Sequence, residues 1–519
     1  MAVPTAANPA PGLPQTPRSA RDRVARWLIV AALLGLGITV RLFNLTNPPF
    51  DFHPTRQLHS AMIARGMYYA RASDAPEWRR EMAVRQWQGR EVVEPRILET
   101  IVAWGYLLAG GEELWIARLL SSAFWVLGGI PLFLLARSLS SFWGGAAGLS
   151  FYLFLPFAVE ASRSFQPDPL MVALLCLGIW ALHRWVEADA PGWRLTVFVG
   201  LVASLAPLVK AVAFLPLLAG LAGMLLARPR AISRLRDPRM WVLGILIALP
   251  AAVYYARAMF LTHEITATGR FIPALLGQIR FYLDWQEFVM RLMGFGAILA
   301  AALGTLILVG VPRGLLLGLW VGYFIYGLLF PHHITTHNYY NLPLVPIAAL
   351  GMAPVAGQIA GRMAAIPHTR MWRLMRFIVV AALLGFAVRA ARGVVAARDY
   401  RPEVGYWEYL GNLLEHRSDL VFLSHDYGYR LMYYGWVTGG AWVGQADLNL
   451  GELLGETPGF STGDMIERLS GHSFFVVTLL GELDAQPALK AYLYDTFPVA
   501  EQGDDFVIFD LRPPAQAPP

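Results

Sequence analysis

A single cysteine, Cys176, leaves no partner for an intramolecular disulfide and no thiolate set for a metal cluster. Lysine is nearly as scarce: Lys210 and Lys490 are the only two, and arginine supplies the rest of the 42 basic residues. Charged residues make up 15% of the 519 positions against 56% hydrophobic ones, and the mean hydropathy is +0.47. A soluble chain of this length needs a more polar surface, so that class is excluded. What is present in its place is a series of apolar runs, several approaching the roughly 20 residues that cross a bilayer. The composition is that of a polytopic α-helical membrane protein.

The net charge of +6 and the pI near 9.4 do not point to nucleic acid. The arginines gather in short loops between apolar runs, as the positive-inside rule requires. The opening "MAVPTAANPAPGLPQTPRSARDR" is rich in Pro and Ala without an apolar core, so residues 1–24 are expected to form a disordered cytoplasmic tail. The run starting at Trp27 is too long for a signal-peptide core and is expected to stay as the first helix.

Candidate spans are 25–45, 113–137, 142–161, 168–187, 194–210, 211–227, 240–260, 288–310, 314–330, 341–361 and 374–391, about eleven crossings. Arg18, Arg21, Arg23 and Arg26 set the N-terminus in the cytoplasm. Alternation then gives the same side to "RPRAISRLRDPR" (228–239) and to Arg362, Arg370, Arg373 and Arg376. The weakest division is 194–227, where Pro207 and Pro216 blur the turn; two spans keep the basic loops on one side.

Four segments fall on the outer side: 46–112, 261–287, 331–340 and everything after about 392. "TRQLHSAMIARGMYYA" and "PRILETIVAWGYLLAG" have helical, part-apolar patterns too short to span. They are expected to lie along the lipid interface, or else to pack the bundle. Beyond Arg392, "DLVFLS", "SFFVVTLL" and "DFVIFDL" read as short buried strands and "QPALKAYLYDTF" as a helix between the last two. A small extracytoplasmic α/β domain over 392–519 is expected, acting as spacer, lid or acceptor dock.

Ionisable residues at the membrane face are costly and mark function by default. "FDFHPTRQ" places Asp51, His53 and Arg56 just after the first span, and "EVVEPRILE" places Glu94 and Arg96 before the second outer helix. "SRSFQPDP" puts Arg163 and Asp168 at an outer turn, and "LVKAV" puts Lys210 at an outer helix end. Each has a bland alternative: a helix cap for Asp51, an Asp–Arg turn, a snorkelling lysine. Their convergence on one face is what favours chemistry.

In that order these elements resemble the membrane glycosyltransferases of the C superfamily, in the protein O-mannosyltransferase and aminoarabinose-transferase group. The matching stretches are "TVRLFNL", Asp51 of the first loop, "EPRILETIVAWGYLLAGGEELWIARLLS", "SRSFQPD", "LVKAV" and "THNYYNLPLVPIAAL", covering about 25–390. The chain departs from the pattern where Phe52, not a second acidic residue, follows Asp51.

The resemblance implies transfer of a sugar from a polyprenyl-phosphate donor to a glycan, lipid or protein acceptor at the outer face of a bacterial plasma membrane. Arg56, Arg96, Arg163 and Lys210 are the cations available for the donor phosphate. Asp51 is the expected base for the acceptor hydroxyl, with Glu94 next in line and His53 expected to bond Asp51 or the acceptor. Asp168, His333, His337, Tyr339 and Tyr340 are candidate substrate contacts. "PHHITTHNYY" leaves three readings open: bonds to donor phosphate or sugar, interfacial packing, or a divalent metal shared with Asp51 or Glu94. No cofactor is otherwise expected. A transporter or flippase is the rival class, but inverted halves are not evident and the charges lie at one face, not at the midplane.

Overall fold

A computed structural model describes residues 20–72, 74–92, 94–188, 191–229, 236–261, 271–366, 369–454 and 460–512. Most of the expected tail and the centre of the basic loop 228–239 lie outside them. Helix α1 (Ala20–Leu42) begins ahead of the apolar run, because its charged first turns continue the helix beyond the hydrocarbon. In the first loop, the one expected to lie outside, are α2 (Pro54–Tyr69), α3 (Glu77–Gln88) and α4 (Ile97–Ala109). The bundle continues with α5 (Leu114–Leu139), α6 (Phe142–Phe154), α7 (Pro156–Ala161), α8 (Asp168–Glu187), α9 (Trp193–Val209), α10 (Phe214–Leu226) and α11 (Pro238–Ala256). Then come α12 (Ile279–Met293), α13 (Phe295–Ile307), α14 (Gly310–Leu329), α15 (Pro331–Thr336), α16 (Leu344–Ala365) and α17 (Arg370–Val395).

Among the described residues, seven helices are long and apolar enough to cross a membrane alone, fewer than the eleven or so runs read from the sequence. The difference lies in broken elements. The run 288–310 is split at Gly294 (φ 84°), where α12 and α13 meet at 98°. The stretch 194–227 does divide in two: α9 ends at Val209, Lys210 is extended, and a short 3-10 turn leads into α10. At 1.5 Å per residue α9 and α10 reach only about 26 and 20 Å, short of a full hydrocarbon core near 30 Å.

Small residues let α10 and α14 touch backbone to backbone. A Cβ on Gly318 would sit 2.1 Å from the Ala219 carbonyl oxygen, and one on Gly223 would sit 2.0 Å from that of Gly314. Only glycine fits there, and the close approach supplies dispersion contacts where lipid removes any hydrophobic drive. At the outer end of α1, buried Arg41 donates to Ser162 Oγ (2.7 Å) and to the Leu153 carbonyl (2.9 Å). It thereby anchors the first span to α6 and to the turn after α7.

The C-terminal domain, the one expected to be the outer domain, carries the three expected strands as β1 (Leu420–Leu423), β3 (Phe474–Val477) and β5 (Val507–Asp510), with the expected helix over Pro487–Thr496. Two short edge strands, β2 (Gly439–Ala441) and β4 (Val499–Gln502), complete a sheet of order β2-β1-β3-β5-β4. Strand β1 runs parallel to β2 and β3, while β5 is antiparallel to β3 and β4. Alternate strand residues point to opposite faces. Leu420, Phe422, Val476 and Ile508 join a core with Phe50, Leu58, Met62, Leu98 and Tyr106 of the first loop. Val421, Leu423, Phe475, Val477 and Phe509 face the domain's own outer helices. One sheet face is therefore closed by the first loop.

Through that shared core α2 follows the packing alternative: it is buried along most of its length between α3, α4 and the outer domain. Its Gly66 leaves no room for a Cβ, which would stand 2.2 Å from Trp87 Cβ. Helix α4 does present an apolar face outward, with Trp104 and Leu108 exposed. Polar ties reinforce the junction. Arg65 pairs with Glu112 (2.9 Å), donates to the Tyr433 carbonyl (2.6 Å) and stacks between the rings of Tyr433 and Trp436. Gln86 donates to the carbonyls of Met432 and Val437.

Reporter fusions test the orientation: one after Pro229, between α10 and α11, is expected in the cytoplasm and one at the C-terminus outside. Both on one side would remove the outer-face reading.

Candidate active site

The stretch after α1 has too many prolines for a helix, and buried side chains hold its course. Arg118, midway in the apolar "WIARLLS" of α5, donates to both carboxylate oxygens of Asp51 (2.8 and 2.9 Å) and to the Pro48 carbonyl (3.2 Å). Gln57 donates to the Phe52 carbonyl (2.7 Å) and to Asp51 (3.2 Å), and its amide oxygen accepts from Phe165 N (3.0 Å). Burial opposes ionisation of Asp51, but the charge and hydrogen bonds of Arg118, with the charge of Arg163, hold its carboxyl below the usual value. Arg163 itself donates to the Asn44 carbonyl (3.0 Å). Asp51 is thus a committed ion-pair partner and a weak proton acceptor.

A second group forms where α2, the 94–96 turn, the start of α8, the end of α9 and the 337–340 turn meet. Arg56 donates through one nitrogen to both oxygens of Glu94 (2.8 and 3.0 Å). Lys210 Nζ lies 2.9 Å from Asp168 and 3.7 Å from Glu94. It also sits 5.0 and 5.3 Å from the ring centres of Tyr339 and Tyr340. Lys210 caps α9 with an extended backbone while its N–H still donates to the Ala206 carbonyl, and Asp168 gains from its place in the first turn of α8.

His53 caps α2 in a left-handed conformation (φ 47°, ψ 68°) directly before Pro54. A residue preceding proline is pushed toward extended backbone, so this geometry costs on the order of 1–3 kcal/mol. It aims the imidazole into the second group, where Nε2 lies 2.7 Å from Asn338 Oδ1. The ring stacks on His337 (5.8 Å) and meets the edge of Tyr339 (4.7 Å). The expected bond from His53 to Asp51 is absent. Burial and the neighbouring His333, His53 and His332 push His337 down to about 3. His59, on the next turn of α2, is likewise lowered to about 3 by burial and by Arg56 and Arg90. Both rings are neutral at pH 7. Beside them, buried Glu99 accepts from Ser60 Oγ (2.7 Å), and burial raises its pKa.

A groove of about 950 Å³ opens beside this group, lined by Trp87, Arg90, Arg96, Ile97, Ile101 and Tyr254 among others. A smaller cleft lined by Arg56, His59, Glu94 and Glu99 shares Glu91, Val92 and Arg96 with it. The groove runs from the apolar faces of α4 and α11 to the charges.

The structure therefore gathers His53, Arg56, Glu94, Asp168, Lys210, His333, His337, Tyr339 and Tyr340, with His333 5.2 Å from His337 and 5.0 Å from Tyr340 by ring centres. Arg96 stands at the groove. Asp51 and Arg163 face Arg118 instead. The shared metal site does not form: among the described residues no three His, Cys, Asp or Glu are placed to hold a metal ion. Sequence reasoning missed Arg118, Gln57, Asn338 and Glu99. Arg118 was the detectable one, a lone charge within an apolar run.

Residues 94–255 match the family model for dolichyl-phosphate-mannose-protein mannosyltransferases. None of the curated proteins matches the sequence. Among solved structures, ArnT from Cupriavidus metallidurans in the apo state is similar at TM-score 0.52 and 17% identity, over 95% of this chain and 99% of that one. The same protein bound to undecaprenyl phosphate gives 0.50 and 16%, over 96% and 100%. The archaeal oligosaccharyltransferase AglB from Archaeoglobus fulgidus, in complex with an inhibitory peptide and a dolichol-phosphate, gives 0.55 and 10%, over 91% and 72%. The chain has the fold of the C-superfamily membrane glycosyltransferases. The resemblance read from its motifs is borne out, and the helical membrane architecture with a small C-terminal sheet stands with it.

Arg118→Ala leaves the Asp51 carboxylate without its counter-charge, and breaking such a buried pair is expected to cost about 3–5 kcal/mol. Thermal unfolding in detergent should show the loss, and Asp51→Asn added to Arg118→Ala should recover part of it. A fully additive double variant would show that the pair is not coupled.

Proposed function

We propose that this protein is an inverting glycosyltransferase of the outer face of the bacterial plasma membrane, moving a sugar from a polyprenyl-phosphate donor to an acceptor hydroxyl. The observation that carries the reading is the junction of an apolar groove with a mixed charge cluster at the outer helix ends. The lipid tail lies along Ile97, Ile101 and Tyr254, and the phosphate meets Arg96, Arg56 and Lys210. Supporting it are the mannosyltransferase match over 94–255 and the likeness to an ArnT that binds undecaprenyl phosphate.

Each step then follows from a named group. Arg56 and Lys210 offset the charge that develops on the leaving phosphate. Phosphate departs without needing a proton, so one base and several cations suffice. The acceptor oxygen attacks the anomeric carbon from the face opposite the phosphate, which inverts that centre. Phosphate binding draws Arg56 and Lys210 away from Glu94 and Asp168, and those carboxylates then take sugar hydroxyls. Arg163 strengthens the cationic field behind Asp51. His333, His337, Tyr339 and Tyr340 form the wall on which the sugar ring rests. The outer domain, over 392–519, closes the acceptor side above the transmembrane domain over 25–391.

The rival transport reading needs ionisable groups near the midplane between two halves. The charge cluster here lies at helix ends, beside the first outer loop.

Mass spectrometry of lipids that co-purify with the protein is expected to find a polyprenyl-phosphate hexose or pentose. Arg96 has no carboxylate partner within ion-pair distance among the described residues, and its Nε is unbonded, so Arg96→Ala breaks no ion pair. Losing one charge-assisted phosphate contact, worth about 1.5–3 kcal/mol, should weaken undecaprenyl phosphate binding by roughly tenfold or more. Unchanged binding in folded protein would return Arg96 to a structural role.

A further inference from the structure

Asp51 is the acidic residue that the first-loop motif supplies, yet both its oxygens are taken by Arg118. The side chain that the loop does deliver into the charge cluster is the imidazole two residues on. Resting on the transferase reading above, we propose that His53 is the general base that accepts the proton of the acceptor hydroxyl.

Three observations carry this. The backbone at His53 is left-handed in front of a proline, a conformation that a purely structural residue at a helix start has no need of. The carboxamide oxygen of Asn338 faces Nε2, so Nε2 carries the hydrogen and the lone pair is left on Nδ1. Nδ1 has no hydrogen-bond partner among the described residues. Asn338 thus fixes the tautomer, as an oriented acceptor does for a catalytic imidazole.

The surroundings suit a base that starts neutral and ends charged. His53 is reached by the fields of Arg56 on α2, Asp168 on α8 and Asp426 on the outer domain, and packs on His337 and Tyr339 of the 337–340 turn. Burial lowers its pKa below 6.5, while Asn338, Asp168 and Asp426 favour the imidazolium. Before transfer the ring is neutral at pH 7, and once protonated it finds two carboxylates within electrostatic reach.

The step balances simply. The acceptor oxygen forms its bond to the anomeric carbon while the carbon–phosphate oxygen bond breaks, and that electron pair leaves on polyprenyl phosphate. The acceptor's proton moves to His53 Nδ1 and is afterwards released to water. Asp51, with Arg118 and Gln57, is a positioning group that sets the height of the 48–53 turn.

The test measures release of undecaprenyl phosphate from a panel of undecaprenyl-phosphate-linked hexoses and pentoses, in native membranes that hold the acceptor. The unaltered protein should lose turnover as the pH falls through a value below 6.5, because protonation removes the base. His53→Gln should turn over roughly 100-fold more slowly, within the range of general-base contributions, with undecaprenyl phosphate binding retained and the acid limb gone. His53→Gly relieves the left-handed backbone and should be no less heat-stable than the parent, yet equally slow, and added imidazole should restore part of its turnover. Near-normal turnover in His53→Gln, or residual turnover that keeps the parental acid limb, would overturn the assignment. An unaltered protein that releases undecaprenyl phosphate from none of the panel overturns the transferase reading, and this one with it.

Discussion

Two cations and two carboxylates, Arg56, Lys210, Glu94 and Asp168, neutralise one another where several helix ends meet, and the form of this face follows from that requirement. Each is expensive to bury alone, and none belongs to the same helix or turn as its partner. Meeting the requirement sets the height of α2, the path of the 94–96 turn and the register of α8, and it explains why a helix stops at Lys210. The group is balanced as it stands. On the proposed reading, an incoming donor phosphate adds negative charge and draws on Arg96 and Arg90 or loosens the existing pairs, so that donor binding and the release of Glu94 and Asp168 are one event.

The strained His53 and the committed Asp51 divide roles that sit two positions apart. Asp51 meets its partner in the wall of the bundle, on the buried face of α5 near its start, and so keeps the turn in place. His53 is turned the other way by a single unfavourable backbone angle. Pro54 then starts α2 at once, so the ring cannot relax without moving the helix that carries Arg56.

Much of this was legible in the residues, and the gaps have physical causes. Hydropathy gave the membrane class, and ionisable residues at helix ends gave Arg56, Glu94, Asp168 and Lys210, because burying a charge is costly enough to leave a mark in any sequence. The three central strands were readable from their apolar runs, whereas Gly439–Ala441 and Val499–Gln502 were not, since edge strands need no such run. The choice between Asp51 and His53 was unreadable because it depends on which way a side chain turns, and Arg118, distant in the chain, decides that. The burial of α2 was hidden for a similar reason: its cover comes from the outer domain.

That cover arrives late. Arg65 and Gln86 bond to groups 368 and 346 residues further along the chain. At a synthesis rate of about 5–20 residues per second, the first loop waits roughly 20–70 s before its partner emerges. Through that interval Leu58, Met62 and Tyr106 have no sheet to pack on. The face that carries the charge cluster is thus the last part of the molecule to be finished, and a ribosome that stalls within the bundle leaves behind a membrane-inserted chain with an open, adhesive loop.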